Sequence, residues 1–231
     1  MKRVACLSLG FLLALPVMAN AQEKEVDRIK EAGLVLRDIL ESPDKGIPQD
    51  LMDKAECVVI YPSVKKAAFI VGGSYGRGVM TCRTGKDFMG PWSAPAMMAL
   101  EGASFGFQIG GQATDFVLLI MNERGASSIL SSKVKIGGDA SAAAGPVGRN
   151  ASAETDAMLK AEILSYSRAQ GLFAGVSLSG STMRPDDGAN KAIYGSDVTA
   201  KDIVLKHEVK PPVSAKNLLA ELNKITPKRK K

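Results

Sequence analysis

A chain of 231 residues with 45% hydrophobic and 23% charged residues carries enough apolar material for one domain with a packed core. Its formal charge of +6 is too small to mark a polyelectrolyte and is compatible with anionic lipid surfaces. One histidine and a few scattered cysteines cannot supply a tetrahedral nitrogen/sulfur metal site, and no cofactor is expected.

The chain opens like a secretory signal. Lys2 and Arg3 give a positive start. Leu7 to Val17 is apolar apart from Ser8, Gly10 and Pro16, and Ala19-Asn20-Ala21 places small residues at the cleavage positions. Cleavage there makes Gln22 the mature start, with residues 22–231 as a single domain. The apolar run falls short of the roughly 20 residues a membrane span needs. Cys6 precedes the run, so no lipid anchor is expected. The expected location is periplasmic or secreted, where nucleic acid is not a partner. That setting is oxidising. The two remaining cysteines, Cys57 and Cys82, sit at the edges of predicted strands, so a disulfide between them is expected; the alternative is two separate buried thiols.

Val26, Ile29, Gly33, Leu36 and Leu40 recur at helical spacing and predict a helix over 23–41, stopped by Pro43 and Gly46. Its Lys24, Arg28, Lys30 and Arg37 could meet a membrane, but Glu23, Glu25, Asp27, Glu31 and Asp38 outnumber them. The apolar stripe therefore belongs against the domain itself. A short helix follows over Pro48 to Ala55. Cys57 to Tyr61 reads as a strand ended by Pro62, and Ala67 to Val71 and Tyr75 to Cys82 as two strands around Gly72-Gly73. Phe105, Phe107 and Ile109 alternate as in a half-buried strand, and Phe116 to Met121 reads as a strand buried on both faces. A helix after Asn122 and an alternating strand Lys133 to Ile136 come next. Met158 to Ser167 and Leu172 to Ser179 form a hairpin around Ala169-Gln170-Gly171. Helices over Asp186 to Tyr194, Ala200 to Leu205 and Ser214 to Leu222 lead to a basic tail, Pro227 to Lys231. Strands that neighbour one another instead of alternating with long helices predict an α+β fold. Its sheet is mainly antiparallel, open or closed into a barrel, and flanked by helices.

Gly72-Gly73-Ser74-Tyr75-Gly76 matches G-x-S-x-G, the strand-to-helix elbow that exposes a nucleophilic serine. The residues after it read as a strand, and His207, the sole histidine, lies in a charged segment. A glycine-rich β segment explains the motif better than a hydrolase using Ser74. Asp115 interrupts an apolar stretch, so its charge must be paired or hydrogen-bonded, or else meet a ligand. Lys65-Lys66 and the one-faced pair Lys133 and Lys135 could clamp phosphate headgroups; the plainer reading of each is a solvated face.

Taken in order, several segments resemble the SYLF family of lipid-binding domains. They are Ala55-Glu56-Cys57-Val58-Val59-Ile60-Tyr61-Pro62, Gly72-Gly73-Ser74-Tyr75-Gly76-Arg77-Gly78-Val79, Trp92-Ser93-Ala94-Pro95, Gly110-Gly111-Gln112-Ala113-Thr114-Asp115-Phe116, Gly137 to Arg149, and Gly171-Leu172-Phe173-Ala174-Gly175. The resemblance spans roughly residues 30 to 205. It implies a non-enzymatic lipid-binding module whose eukaryotic relatives bind phosphoinositides, some of them also actin, and whose bacterial relatives are exported. It also implies a lipid contact on the N-terminal helix, here Lys24, Arg28, Lys30 and Arg37. The expected function is peripheral binding of anionic phospholipid in a bacterial cell envelope. Lys65, Lys66, Lys133 and Lys135 would be the headgroup contacts. The alternative is an envelope scaffold with a protein partner.

Overall fold

A computed structural model describes residues 15–40, 46–69, 71–105, 110–131, 133–147, 160–169, 172–195, 198–227 and 229. Lys2, Arg3 and most of the apolar run of the expected signal lie outside the described residues. So do Phe107, Ile109, Met158, the Gln170-Gly171 turn, and Lys228, Lys230 and Lys231 of the tail.

The first helix, α1, runs Leu15–Leu40 and begins upstream of the predicted start. Met18, Ala19 and Ala21 favour helix, and Pro16 falls in its first turn, where a missing N–H is tolerated. Ile29, Ala32, Val35, Leu36 and Ile39 are buried; each of the four larger side chains contributes about 1.5–3 kcal/mol when taken out of water. The short helix α2, Gln49–Lys54, starts after Pro48 as predicted. Three further helices also fall where the sequence places them: α3 (Glu123–Ser131), α4 (Asp187–Tyr194) and α5 (Ala200–Val204). The last helix, α6 (Lys216–Ile225), is preceded by a 3-10 turn at Val213–Ala215. Asp186 caps α4 by accepting the Ala189 N–H, and Thr199 and Asp202 form a capping box on α5.

The strands are β1 (Cys57–Phe69), β2 (Val71–Cys82), β3 (Ala96–Phe105), β4 (Gly110–Ile120), β5 (Val134–Lys135), β6 (Ala142–Ala144), β7 (Ile163–Ala169), β8 (Leu172–Gly175) and β9 (Thr182–Pro185). They form one sheet in the order β5-β9-β3-β2-β1-β4-β7-β6, with β8 added on β7. Among the described strands, only the β6–β7 pairing is parallel. The sheet curls strongly into a half-barrel, giving the α+β class expected.

Strand boundaries differ from the sequence reading at several places: β4 starts at Gly110, β7 at Ile163, β8 ends at Gly175, and β6 and β9 are strands the sequence reading did not place. Pro62 does not end β1. It falls in a bulge between Ile60 and Lys65, where the ladder is already interrupted and a missing N–H does no harm. Ser63 takes φ 52° there, and its N–H donates to Asp115 Oδ1 at 2.8 Å. Gly72 and Gly73 are not a turn; they lie inside β2, opposite Ala68 and Ala67. The third sheet strand begins at Ala96, earlier than the alternation at Phe105 predicts. Ala96 to Leu100 are buried on both faces and so show no period of two.

Helices cover both faces. Cys57, Val59, Tyr61, Met80, Met98, Phe116, Leu118 and Ile120 pack with α3 and α5. Val58, Ile60, Val79, Met97, Val117 and Leu119 pack with α1, α2, α4 and α6. α6 lies close on α1 because residue 33 is glycine: a Cβ there would be 3.2 Å from the Leu218 backbone nitrogen. Cys57 and Cys82 face each other across β1 and β2 and form the expected disulfide, fully buried. Arg83, only 2% exposed, stacks 4.8 Å from the Trp92 ring centre and donates to the Thr226 and Pro227 carbonyls. Burial pulls its pKa down to about 10. Arg229 donates in turn to the Asp53 and Ala55 carbonyls, so the tail is docked at that residue.

Candidate functional site

On the face covered by α1, the sheet passes from buried to exposed at one row of directly opposed residues. Ala113, Lys65, Tyr75, Glu101, Thr182 and Lys135 follow one another across β4, β1, β2, β3, β9 and β5. Opposed residues in antiparallel pairs share a face, so Lys65 and Lys135 lie on the same side although 70 positions separate them in sequence. Lys65, Tyr75, Ala113 and Lys135 are exposed.

Glu101 is the hub of this band. Its carboxylate accepts from Arg184 Nη2 at 2.9 Å and Lys133 Nζ at 3.2 Å. The Arg184 hydrogen bond, followed by that of Lys133, outweighs desolvation and holds its pKa below the usual carboxylate range. Glu101 thus neutralises part of the charge of Arg184 and Lys133, while Lys65 and Lys135 stand two strands away on either side of it in the same row. Lys133 also lines an open cleft of about 430 Å³ with Arg124, Ser127, Ser128, Ser131, Val134 and Asp139.

Two ion networks bound the band where α1 ends its cover. In the first, the buried Glu25 of α1 accepts from Arg77 Nη1 at 3.1 Å and also pairs with Arg28. Arg77 Nε reaches Asp186 at 3.0 Å and the Tyr75 hydroxyl at 2.9 Å. Burial, then the nearby Arg77 charge, lowers the Arg28 pKa. In the second, Arg168 bridges Asp38 of α1 to Asp115, its Nη2 2.7 Å from Asp115 Oδ2. Asp115 is therefore the paired carboxylate that the apolar stretch around it demands.

The structure thus sorts the predicted contacts. Lys65, Lys133 and Lys135 belong to one band. Lys66, opposite Ser74 and Gln112, stands one position off that row in the ladder. Arg28 is held by Glu25, and Lys30 by Asp27 at 2.9 Å, while Lys24 and Arg37 are exposed on α1. Sequence reasoning missed Tyr75, Arg77, Glu101 and Arg184, which look like ordinary surface residues until register joins them. Ser74 lies mid-strand, opposite Lys66 and Gly102, and lacks the strand–turn–helix setting of a nucleophile elbow.

A curled half-barrel that carries a charged band and holds its serine motif flat in a strand has the build of a binding module. A family model described as Ysc84, Las17-binding protein actin regulator, matches residues 101–225. The SH3 domain-containing protein PJ696.02 of Schizosaccharomyces pombe is 37% identical over 203 residues, covering 84% of this chain and 46% of that protein. Protein YSC84 of Saccharomyces cerevisiae is 36% identical over 198 residues, 82% of this chain and 41% of its own. The human SH3 domain-containing YSC84-like protein 1 is 33% identical over 219 residues, 92% and 61% respectively. The chain spans about half the length of the first curated relatives it matches. It belongs to the Ysc84/SYLF family, a family of non-catalytic modules known for binding lipid and actin.

Proposed function

We propose that this protein is a non-enzymatic module of the cell envelope that binds anionic phospholipid peripherally. The observation that carries this reading is the band in which Glu101 pairs with Arg184 and Lys133 and shares its row with the exposed Lys65 and Lys135. Clustered ammonium and guanidinium groups at an exposed sheet end raise the local concentration of phosphate headgroups. No helix among the described residues is long and apolar enough to cross a membrane.

The envelope setting rests on the positive start, the apolar run and the Ala19-Asn20-Ala21 cleavage site. A Cys57–Cys82 bridge fits an oxidising compartment. Las17 and actin appear in the family description, but an exported chain would meet lipid before either.

Cosedimentation tests the reading. The protein is expected to pellet with vesicles containing phosphatidylglycerol, less so as salt rises, and weakly with pure phosphatidylcholine. Protein left in the supernatant with both would refute it. A stable crosslinked protein partner with no lipid dependence would favour the scaffold reading.

A further inference from the structure

One side of α3 is built almost wholly of hydroxyls. Arg124, Ser127, Ser128 and Ser131 recur at i, i+3, i+4 and i+7, so they share one side of the helix. The other side, Gly125, Ala126, Ile129 and Leu130, is buried against the sheet. The outer side of a surface helix is commonly filled by long charged residues. Three serines leave room there, and that room is the open cleft of about 430 Å³ whose other wall includes Lys133 and Asp139. Its volume lies within the roughly 300–1,000 Å³ of small-ligand sites.

The polar groups of the cleft are held from behind. Glu162 is buried and its Oε2 accepts the Ser141 N–H at 2.8 Å, while its Oε1 lies 3.2 Å from Arg124 Nε. That tether grips the inner nitrogen of the guanidinium and leaves the outer edge to solvent; the Arg124 side chain is 83% exposed. Lys133 is tethered to Glu101 at 3.2 Å, and Asp139 Oδ2 accepts the Lys135 N–H at 2.8 Å. Ser131 Oγ donates to the Ser127 carbonyl at 2.6 Å. The hydroxyls of the half-buried Ser127 and Ser128 bond no protein atom among the described residues.

We infer that this cleft takes a phosphorylated polyol, which at a membrane is the glycerol phosphate headgroup. Arg124 and Lys133, one from each wall, donate charge-assisted hydrogen bonds to the phosphate oxygens. Asp139 accepts from the hydroxyls of the ligand, and Ser127 and Ser128 both donate to and accept from them. The mixture of groups selects this class. A bare anion gains nothing from three serines and is repelled by Asp139, and an acyl chain finds almost no apolar wall. The membrane source of the ligand rests on the lipid-binding reading above, which the cleft deepens by naming the headgroup. Lys133 joins the two, because it lines the cleft and is bonded to Glu101 of the charged band. The band attracts an anionic surface at long range, and the cleft beside it selects among the headgroups found there.

Two lipids that differ only in hydroxyls test this. Phosphatidylcholine vesicles are doped equally with phosphatidylglycerol or with phosphatidylpropanol, which carries the same phosphodiester charge and the same carbon count but no headgroup hydroxyl. The unsubstituted protein should bind the phosphatidylglycerol vesicles about tenfold more tightly, the worth of two net hydrogen bonds. Arg124→Gln and Ser128→Leu should each erase that preference. Lys224→Gln, which removes an exposed cation of α6 outside the cleft, should keep it. Equal binding to both lipids, or a preference that survives Arg124→Gln and Ser128→Leu, would overturn the cleft and leave the lipid reading standing. Tighter binding to phosphatidylethanolamine than to phosphatidylglycerol would give Asp139 an ammonium partner and overturn the polyol assignment. Isothermal titration with free sn-glycerol 3-phosphate separates the sources. Binding of the free compound with no vesicle binding would support the cleft and refute the lipid reading alone, and no binding to either would refute both. Arg124 is exposed, so Arg124→Gln should fold as the parent does, and the comparison of the two lipids needs no variant.

Discussion

Removing the Asp115 carboxylate separates a structural role from a ligand-binding one. It accepts the Ser63 N–H at 2.8 Å and two donors of Arg168, Nε at 2.8 Å and Nη2 at 2.7 Å. Asp115→Ala leaves the Ser63 N–H without its acceptor at a bulge that already holds φ 52°, and strips Arg168 of a carboxylate partner. Hydrogen bonds to charged groups contribute about 1.5–3 kcal/mol each. Breaking a fully buried ion pair costs about 3–5 kcal/mol. Arg168 retains Asp38, and both partners keep some solvent contact, so the expected loss is about 3 kcal/mol. Asp115→Asn keeps an oxygen for Ser63 but no charge for Arg168, and should lose about half as much. Urea unfolding followed by circular dichroism measures both, with the denaturant slope unchanged if only native contacts are lost. A double-mutant cycle with Arg168→Ala should return a coupling above about 1 kcal/mol. An Asp115→Ala protein less than 1 kcal/mol below the parent, but impaired in vesicle binding, would refute the structural assignment.

The Cys57–Cys82 bridge closes a loop of 25 residues, which in the chain-entropy account contributes about 3.5 kcal/mol; reductant should lower the urea midpoint accordingly, and the Cys57→Ala/Cys82→Ala protein should show no further response to it. Gly78 lies across from the β1 bulge. A Cβ there would fall on the Ile60 carbonyl oxygen and 2.6 Å from Tyr61 Cδ1, so Gly78→Ala should cost about 3 kcal/mol through backbone displacement, read as a lower melting temperature. Glu101 has a depressed folded-state pKa, so its contribution is present above the ordinary glutamate value of about 4.3 and disappears as pH falls through the folded value. The stability gap between the parent and Glu101→Gln should be constant above about pH 5.5 and shrink below pH 4; a gap that does not change with pH would remove the ion-pair role.

Local chemistry fixed most helices and the β7–β8 hairpin. Ile29, Gly33 and Leu36 needed only their spacing to declare a buried stripe, Pro48 and Asp186 declared helix starts, and Cys57 and Cys82 needed only strand edges and a compartment. These features are legible because each depends on residues within a few positions of one another. The boundary errors arose where that locality fails: Pro62 is tolerated because a bulge across from Gly78 leaves it no ladder bond to make, and Ala96 to Leu100 lose their alternation because helices cover both faces. The charged band was beyond the sequence for the same reason. Lys65 and Lys135 were visible as cations, but that they share a row with Tyr75 and Glu101 follows from the order β5-β9-β3-β2-β1. Glu25 and Asp38, counted in the sequence simply among the acids of the first helix, hold Arg77 and Arg168. The sequence determined which residues carry charge and which faces are apolar. Strand order and register decided which of those charges meet, because hydrogen-bonded ladders join positions that the chain keeps far apart.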